Sequence, residues 1–547
     1  MLPGLMMDAP LTLTHFLHRA ERLFPTREVV SRRPDGSLHR YTYADFHRRA
    51  ARLANLLERL GVRRGDRVAT LCWNHHQHLE AYFAVPCLGA VLHTLNVRLH
   101  PGELAYIARH AEDRVLIVDR SLLPLLDGFR AEVPSLEQVI VVADDGPTPE
   151  GTLDYETCLA GEPDTRRWPD VDERAGALLC YTSGTTGAPK GVLYSHRSTV
   201  LHTLMVGLED TMGLGHRDVV LPVVPMFHAN AWGTAHAAVG FGAKLVFAGR
   251  DASPAAVLDL IERERVTFAA AVPTVWLGVL AELDAHPGAR DVRSVRRVAI
   301  GGAACPPSLI EGLGRHGMPV QTTWGMTETN PVATVCRPKV GLDTGDAAEL
   351  ALRAKQGYVV PFVEQRHVDD DGRKLAWDGV TMGELEVRGP WVAASYFRSP
   401  EGADRFTADG WFRTGDVVTI DPQGYIHITD RSKDVIKSGG EWISTQALEN
   451  ALMGHPAVLE AAVFAGLHEK WGERPLAAVV LRPGHTTTRE QLAAHLTPDF
   501  PRWWLPDDYL FLPEIPRTST GKFKKLELRA RHGRHLIDGP AGGSGGG

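Results

Sequence analysis

Tyr181-Thr182-Ser183-Gly184-Thr185-Thr186-Gly187-Ala188-Pro189-Lys190-Gly191 gathers three glycines, four Ser and Thr hydroxyls and one lysine. Glycines let successive backbone N–H groups turn toward one point and form an anion nest. Hydroxyls add neutral donors and oxygen ligands for a divalent ion, and Lys190 adds a compact positive charge. A solvated turn is also rich in Gly, Ser and Thr. A lysine inside so short a block favours phosphate binding instead. The block is not a Walker A loop, because Gly191 follows Lys190 and the glycine spacing differs.

The lysines themselves are informative. The 59 basic residues divide into 11 Lys and 48 Arg. Nucleotide bias accounts for the scarcity of lysine but not for where it remains. Lys190, Lys433, Lys437, Lys522, Lys524 and Lys525 fall in three short segments that also carry Gly, Ser or Thr. A compact ammonium is not interchangeable with a guanidinium. Lys190 and Lys522 should therefore tolerate Arg poorly.

Repeating strand and helix signals must position these segments. Phe46, Ala50, Leu53, Leu57 and Leu60 follow helical spacing, with Gly61 as a terminator. Strands are predicted near 67–73, 90–95, 218–224, 268–272 and 297–300, with helices near 79–88 and 255–263. Such alternation implies βαβ units and a largely parallel sheet. Beyond about Gly383 the texture changes to shorter β-segments with Gly- and Asp-rich turns. Strands near 458–464 and 476–481, with helices near 446–453 and 490–495, make a separate α+β unit. The expectation is a large α/β domain of mixed and parallel sheets flanked by helices over 1–429. A hinge at 430–435, a small mobile α+β domain over 436–538 and a Gly-rich tail over 539–547 follow.

Bulk properties remove several classes. The net charge of −7 and the pI near 6.4 argue against a nucleic-acid binder. The six cysteines include no C-x-x-C pair and suit a reducing cytoplasm. The N-terminus does not read as a signal peptide, and no apolar run is long enough to span a membrane. His75, His76 and His78 invite a metal reading, but no fourth ligand is apparent and a structural role is favoured. Trp503-Trp504 reads as core or interface of the small domain.

Five blocks together resemble the adenylate-forming superfamily of acyl-CoA synthetases, stand-alone adenylation domains and beetle luciferases. They are the phosphate loop, Trp324-Gly325-Met326-Thr327-Glu328-Thr329, Trp411-Phe412-Arg413-Thr414-Gly415-Asp416, Asp430-Arg431-Ser432-Lys433-Asp434 and Pro516-Arg517-Thr518-Ser519-Thr520-Gly521-Lys522. They occur in the family's order, and the overall texture is nearest medium- and long-chain fatty acid–CoA ligases. The resemblance implies two half-reactions. A carboxylate attacks the α-phosphate of ATP, giving acyl-AMP and pyrophosphate, and the thiol of CoA then displaces AMP. Both steps concentrate negative charge, so preorganised cations and donors matter more than a protein nucleophile.

On this resemblance Lys522 is the catalytic lysine, and Thr182, Ser183, Gly184, Thr185, Thr186, Gly187 and Lys190 bind phosphate. Glu328, with Thr182, would hold Mg²⁺, and Thr327 would bond the nucleotide phosphate. Asp416 would accept the ribose hydroxyls, and Arg431 would reach ribose or phosphate. Trp324 stands where the family usually has Tyr, and would stack on adenine. His228 would line the carboxylate site, and Trp232, four residues on, is read as a gate to the acyl pocket. Gly301, Gly302 and Ala303 suit either close ligand approach or tight packing. Asp430 is the expected hinge, and Lys437, Gly439, Gly440, Glu441 and Trp442 would border the CoA arm. The implied partners are a carboxylic acid, ATP and CoA, and resemblance to long-chain ligases allows a homodimer. The alternative is an adenylating enzyme for an aryl, cinnamyl or other specialised acid, or one with an acceptor other than CoA.

Overall fold

The computed structural model describes residues 2, 4–143, 146–182, 188–439, 441–517 and 523–538, with the backbone alone at Glu441. Ser183 to Gly187, Gly440, Thr518 to Lys522 and the tail from Gly539 lie outside the described residues. The chain divides into two compact units: Met1–Glu364 with Val387–Phe412, and Gln365–Glu386 with Arg413–Gly547. The mixed α/β architecture, with a large N-terminal part and a smaller C-terminal one, agrees with the sequence reading.

Two sheets build the first unit. Among the described residues one has nine strands. Its parallel centre consists of Val320–Gly325, Arg297–Ile300, Phe268–Ala271, Val219–Pro222, Lys244–Phe247 and Glu28–Arg32. Antiparallel strands close both edges, Leu38–Thr42 on one side and Val332–Val335 with Tyr358–Val359 on the other. The second sheet has seven strands and is parallel except at its last pair, Gly176–Tyr181 with Gly191–Ser195. That exception makes an antiparallel pair of the two strands on either side of residues 182–190.

Burial on both sheet faces explains the near-continuous apolar strands. Helix His76–Leu88 is buried at every one of its 13 positions. A helix apolar on all sides has no stripe to reveal its ends, and it begins earlier than residue 79. Around Trp276, fully buried, the apolar sides of Val257, Ile261, Val298 and Leu309 form one core.

The second unit is a smaller α+β sandwich. The long strands Val458–His468 and Gly472–Leu481 pair antiparallel, and Asp508–Phe511 adds a parallel neighbour. Side chains alternate faces along a strand. Ala461, Val463, Ala477 and Val479 pack with Leu448 and Leu492 of helices Thr445–Met453 and Arg489–Leu496. Ala462, Phe464, Leu476 and Ala478 face the other way, onto Leu528 of helix Lys525–His532. Trp504 packs against the first of these cores, whereas Trp503 is 42% exposed.

One glycine bears directly on the turn that carries Thr327 and Glu328. Gly325 ends its strand where the Pro331 carbonyl returns to accept the Met326 N–H at 3.1 Å. A Cβ at Gly325 would lie 1.9 Å from that carbonyl oxygen. The turn that carries Thr327 and Glu328 therefore needs a residue without a side chain. Gly325→Ala should cost about 1–3 kcal/mol through forced backbone displacement, read as a lowered melting temperature by calorimetry. Melting unchanged from the parent protein would refute the close approach.

Candidate active site

The phosphate hairpin is closed at its mouth by a reciprocal pair. Thr182 N–H donates to the Lys190 carbonyl at 3.0 Å, and Lys190 N–H donates to Thr182 Oγ1 at 3.3 Å. Tyr181, just before it, bonds through its hydroxyl to His110 Nδ1 at 2.6 Å. Lys190 is half-buried, and its Nζ sits 5.0 Å above the Tyr396 ring. A cation over an aromatic face is attracted by the ring quadrupole.

The same tyrosine reaches Glu328. Tyr396 Oη donates to Glu328 Oε1 at 2.7 Å, and both residues are buried. Burial and the neighbouring Glu328 carboxylate raise the Tyr396 pKa, so its proton stays in place to donate. Lys190 and Glu328 make no direct ion pair with one another among the described residues. The Glu328 turn is braced from both sides. Its carbonyl accepts from Ala393 N–H at 2.7 Å, and the Thr327 carbonyl accepts from Tyr194 Oη at 2.6 Å. Trp324 is buried at the end of the preceding strand. Tyr396 was not singled out in the sequence. The signal that would have found it is a tyrosine inside a Gly-Pro-bounded loop that must fold back onto the Thr-Glu block.

His228 is exposed and introduces an unusual segment. Ala229, Asn230, Ala231 and Trp232 have φ of 43°, 51°, 50° and 56°, and Gly233 continues at 73°. Four successive L-residues in the left-handed region cost roughly 1–2 kcal/mol each. Packing holds them there. All five are buried, and Thr234 Oγ1 donates to the Ala231 carbonyl at 2.6 Å. Upstream, Asn74 binds the approach to His228. Its Nδ2 donates to the Pro222 and Val224 carbonyls at 2.9 Å each, and its Oδ1 accepts from Met226 N–H at 2.8 Å.

The turn sets Trp232 against the glycines of the Arg297–Ile300 strand end. A Cβ on Gly301 would lie 3.3 Å from Trp232 Cη2 and only 2.8 Å from the Thr323 carbonyl oxygen. Tight packing is thus the reason for Gly301. Gly302 differs, with φ of 80° and an exposed position beside Ala303. The backbone at Gly302 and Ala303 is open to a ligand.

The three histidines do not converge on one point. His75 Nε2 pairs with Asp119 Oδ1 at 2.8 Å, and its Nδ1 accepts from His78 N–H at 3.2 Å. His78 binds Thr70 Oγ1 and the Trp73 carbonyl, each at 3.0 Å, while His76 stacks on His39. Cys72, His75 and Asp119 bring ligand-type atoms within 4.8 Å of one another. Asp119 bonds His75 Nε2 through Oδ1 and accepts the Trp73 N–H through Oδ2, at 2.8 Å each. The cluster therefore braces the loop after Arg67–Leu71.

The second unit contributes another group of residues. Strands Phe412–Ile420 and Ile426–Arg431 pair Asp416 opposite Arg431, and Arg431 Nη1 lies 2.8 Å from Asp416 Oδ1. Asp430 Oδ2 accepts from Thr445 N–H at 2.5 Å and Thr445 Oγ1 at 2.7 Å. Burial raises the Asp430 pKa against the pull of Lys525. Burial likewise pushes Glu449 up to about 7, again opposed by Lys525. Lys437 Nζ is held by Asp370 at 2.6 Å and lies 4.9 Å over the Trp442 ring. Gly439 has φ of 60°, and a Cβ there would come 2.8 Å from Trp471.

Comparison with known proteins identifies the frame that carries these residues. Residues 17–397 match the AMP-binding enzyme family, and residues 447–522 match the AMP-binding enzyme C-terminal domain. The chain is 50% identical to a long-chain-fatty-acid–CoA ligase of Thermus thermophilus, covering 97% of each chain. It is 42% identical to a medium-chain-fatty-acid–CoA ligase of Ectopseudomonas oleovorans, covering 98% of each. Among solved structures, that of the anthranilate CoA ligase AuaEII with anthranoyl-AMP aligns at a TM-score of 0.82 and 27% identity. It covers 96% of this chain and 98% of its own. The hairpin and the Thr-Glu turn fall inside the first of these matches and most of the small C-terminal sandwich inside the second, and the chain belongs to the family of AMP-binding enzymes.

Proposed function

We propose that this protein is an ATP-dependent, AMP-forming ligase that adenylates a medium- or long-chain fatty acid and transfers the acyl group to CoA. The observation that carries the reading is its 50% identity, along 97% of the chain, to a protein named long-chain-fatty-acid–CoA ligase. In the first half-reaction a carboxylate oxygen bonds to the α-phosphorus and pyrophosphate leaves. In the second, the CoA sulfur bonds to the acyl carbon and AMP leaves.

Each group then has a task. Thr182, Lys190 and the loop between them receive the phosphates, and Thr327 donates to the α-phosphate. Trp324 lies against adenine, and Asp416 accepts the ribose hydroxyls with Arg431 beside it. His228 orients the acid's carboxylate. Lys522 meets the charge that develops as the carboxylate adds to phosphorus. Gly439, Gly440, Glu441 and Trp442 border the thiol arm with Lys437, and Asp430 is the hinge between adenylating and thioester-forming arrangements.

The donor set suits Mg²⁺. Tyr396 engages only Oε1 of Glu328, and Oε2 meets no donor among the described residues. A hard carboxylate oxygen with a threonine hydroxyl and substrate phosphates matches that ion's preference. Glu328 and Thr182 would hold it, and it would neutralise phosphate charge.

Pyrophosphate release, followed for straight-chain acids of graded length against aryl acids and with CoA added or withheld, tests the reading. Fatty acids should lead, with thioester formed only when CoA is present. An aryl acid preferred over every fatty acid would overturn it. Tyr396→Phe removes the bond that aims Glu328, and should raise the Mg²⁺ concentration for half-maximal rate by about tenfold. An unchanged Mg²⁺ dependence would dissociate the tyrosine from the ion. Trp232→Ala should broaden chain-length preference, measured as kcat/KM across the same acids. Preserved preference and preserved coupling to ATP would remove the gate.

A further inference from the structure

The second unit contains a buried charged relay for which the reaction as outlined has no use. Lys525 opens helix Lys525–His532, three residues after Lys522. Its Nζ lies 2.7 Å from Glu449 Oε1 and donates to Thr445 Oγ1 at 2.5 Å. Thr445 Oγ1 in turn donates to Asp430 Oδ2 at 2.7 Å. Glu449 Oε1 also accepts the Val463 N–H at 2.7 Å, which fixes the carboxylate to strand Val458–His468. The Lys525 side chain is 11% exposed and that of Glu449 10%, while Thr445 is fully buried. Water therefore does not compete for these bonds, and an unmatched charge here would be costly.

The described residues on either side of the catalytic-lysine segment reinforce the point. Arg517 and Phe523 form an antiparallel bridge, and Lys524 N–H donates to the Pro516 carbonyl at 2.8 Å. The base of the segment is thus a closed ladder, and Lys525 is the next residue beyond it. Its ammonium reaches the N-terminal turn of helix Thr445–Met453, the same turn that the Asp430 carboxylate caps.

We propose that Lys525 is a positioning residue for adenylation. Through Thr445 it registers the base of the Lys522 segment to the Asp430 carboxylate, with Glu449 holding the ammonium in place. The lysine segment and the hinge strand then share one reference point, the start of helix Thr445–Met453. Rotation at the hinge carries the segment with that helix instead of leaving it to find its own position. This inference rests on the reading of Lys522 as catalytic and Asp430 as hinge.

The test separates the half-reactions in full-length protein. Adenylation is followed by pyrophosphate exchange, and thioester formation from supplied acyl-AMP and CoA. Lys525→Met should lower the adenylation kcat by about tenfold or more, with the KM for ATP little changed and thioester formation reduced far less. Lys525→Arg should restore most of the loss. Thr445→Val keeps the Lys525–Glu449 pair and cuts only the hydroxyl relay. It should shift the ratio of the two rates in the same direction with a melting temperature near the parent's. Equal loss of both half-reactions in Thr445→Val, or unchanged rates in Lys525→Met, would overturn the proposal. Lys522→Ala is measured alongside. If it retains adenylation, the underlying reading falls and this one with it. If it loses adenylation while Lys525→Met does not, the positioning role alone falls.

Discussion

One tyrosine keeps a cation and an anion apart while holding both. Tyr396 presents its ring to Lys190 and its hydroxyl to Glu328. Had these two charges met directly, each would have satisfied the other, and a polyphosphate or a divalent ion would first have to break the pair. A neutral side chain that stacks on one and hydrogen-bonds the other leaves both charges available at little cost. The rest of the first unit serves this arrangement. The antiparallel exception at the end of the seven-stranded sheet delivers Lys190, and the turn after the glycine-terminated strand Val320–Gly325 of the nine-stranded sheet delivers Glu328.

The second unit uses the opposite strategy. Its ammonium at Lys525 is buried against Glu449 and the Thr445 hydroxyl. Among the described residues Lys190 makes no ion pair, whereas Lys525 is committed inside the protein. Lys437 falls between them, exposed but paired with Asp370 and stacked on Trp442. The few lysines of this arginine-rich chain are accordingly not equivalent, and their surroundings distinguish a charge offered to a ligand from a charge used in construction.

Much of this was legible before any coordinates. Helical spacing over 46–60 marked the helix Tyr43–Arg59 because one face of it is buried, and short apolar runs near 268–272 and 297–300 marked the strands Phe268–Ala271 and Arg297–Ile300. The block Tyr181–Gly191 stood out because its glycines, hydroxyls and lysine are consecutive residues. What stayed hidden depends on distant partners. Tyr396 meets Glu328 across 68 positions, and Asn74 meets Met226 across 152. A tyrosine or an asparagine taken alone carries no sign of where it will bond. The full burial of His76–Leu88 erased the stripe that would have marked its start, and the two uses of Gly301 and Gly302 became separable only once their neighbours were placed.

The left-handed turn from Ala229 to Gly233 has a consequence for how the protein ages under stress. Gly233 adopts this conformation without penalty and Asn230 is a residue type that visits it, but Ala229, Ala231 and Trp232 stay in it only as long as the surrounding packing insists. The segment after His228 thus depends on the frame around it. A loosening of the nine-stranded sheet too slight to unfold it would first be felt as a relaxed turn and a displaced indole. The left-handed turn is in this sense a strain gauge for the sheet that supports it.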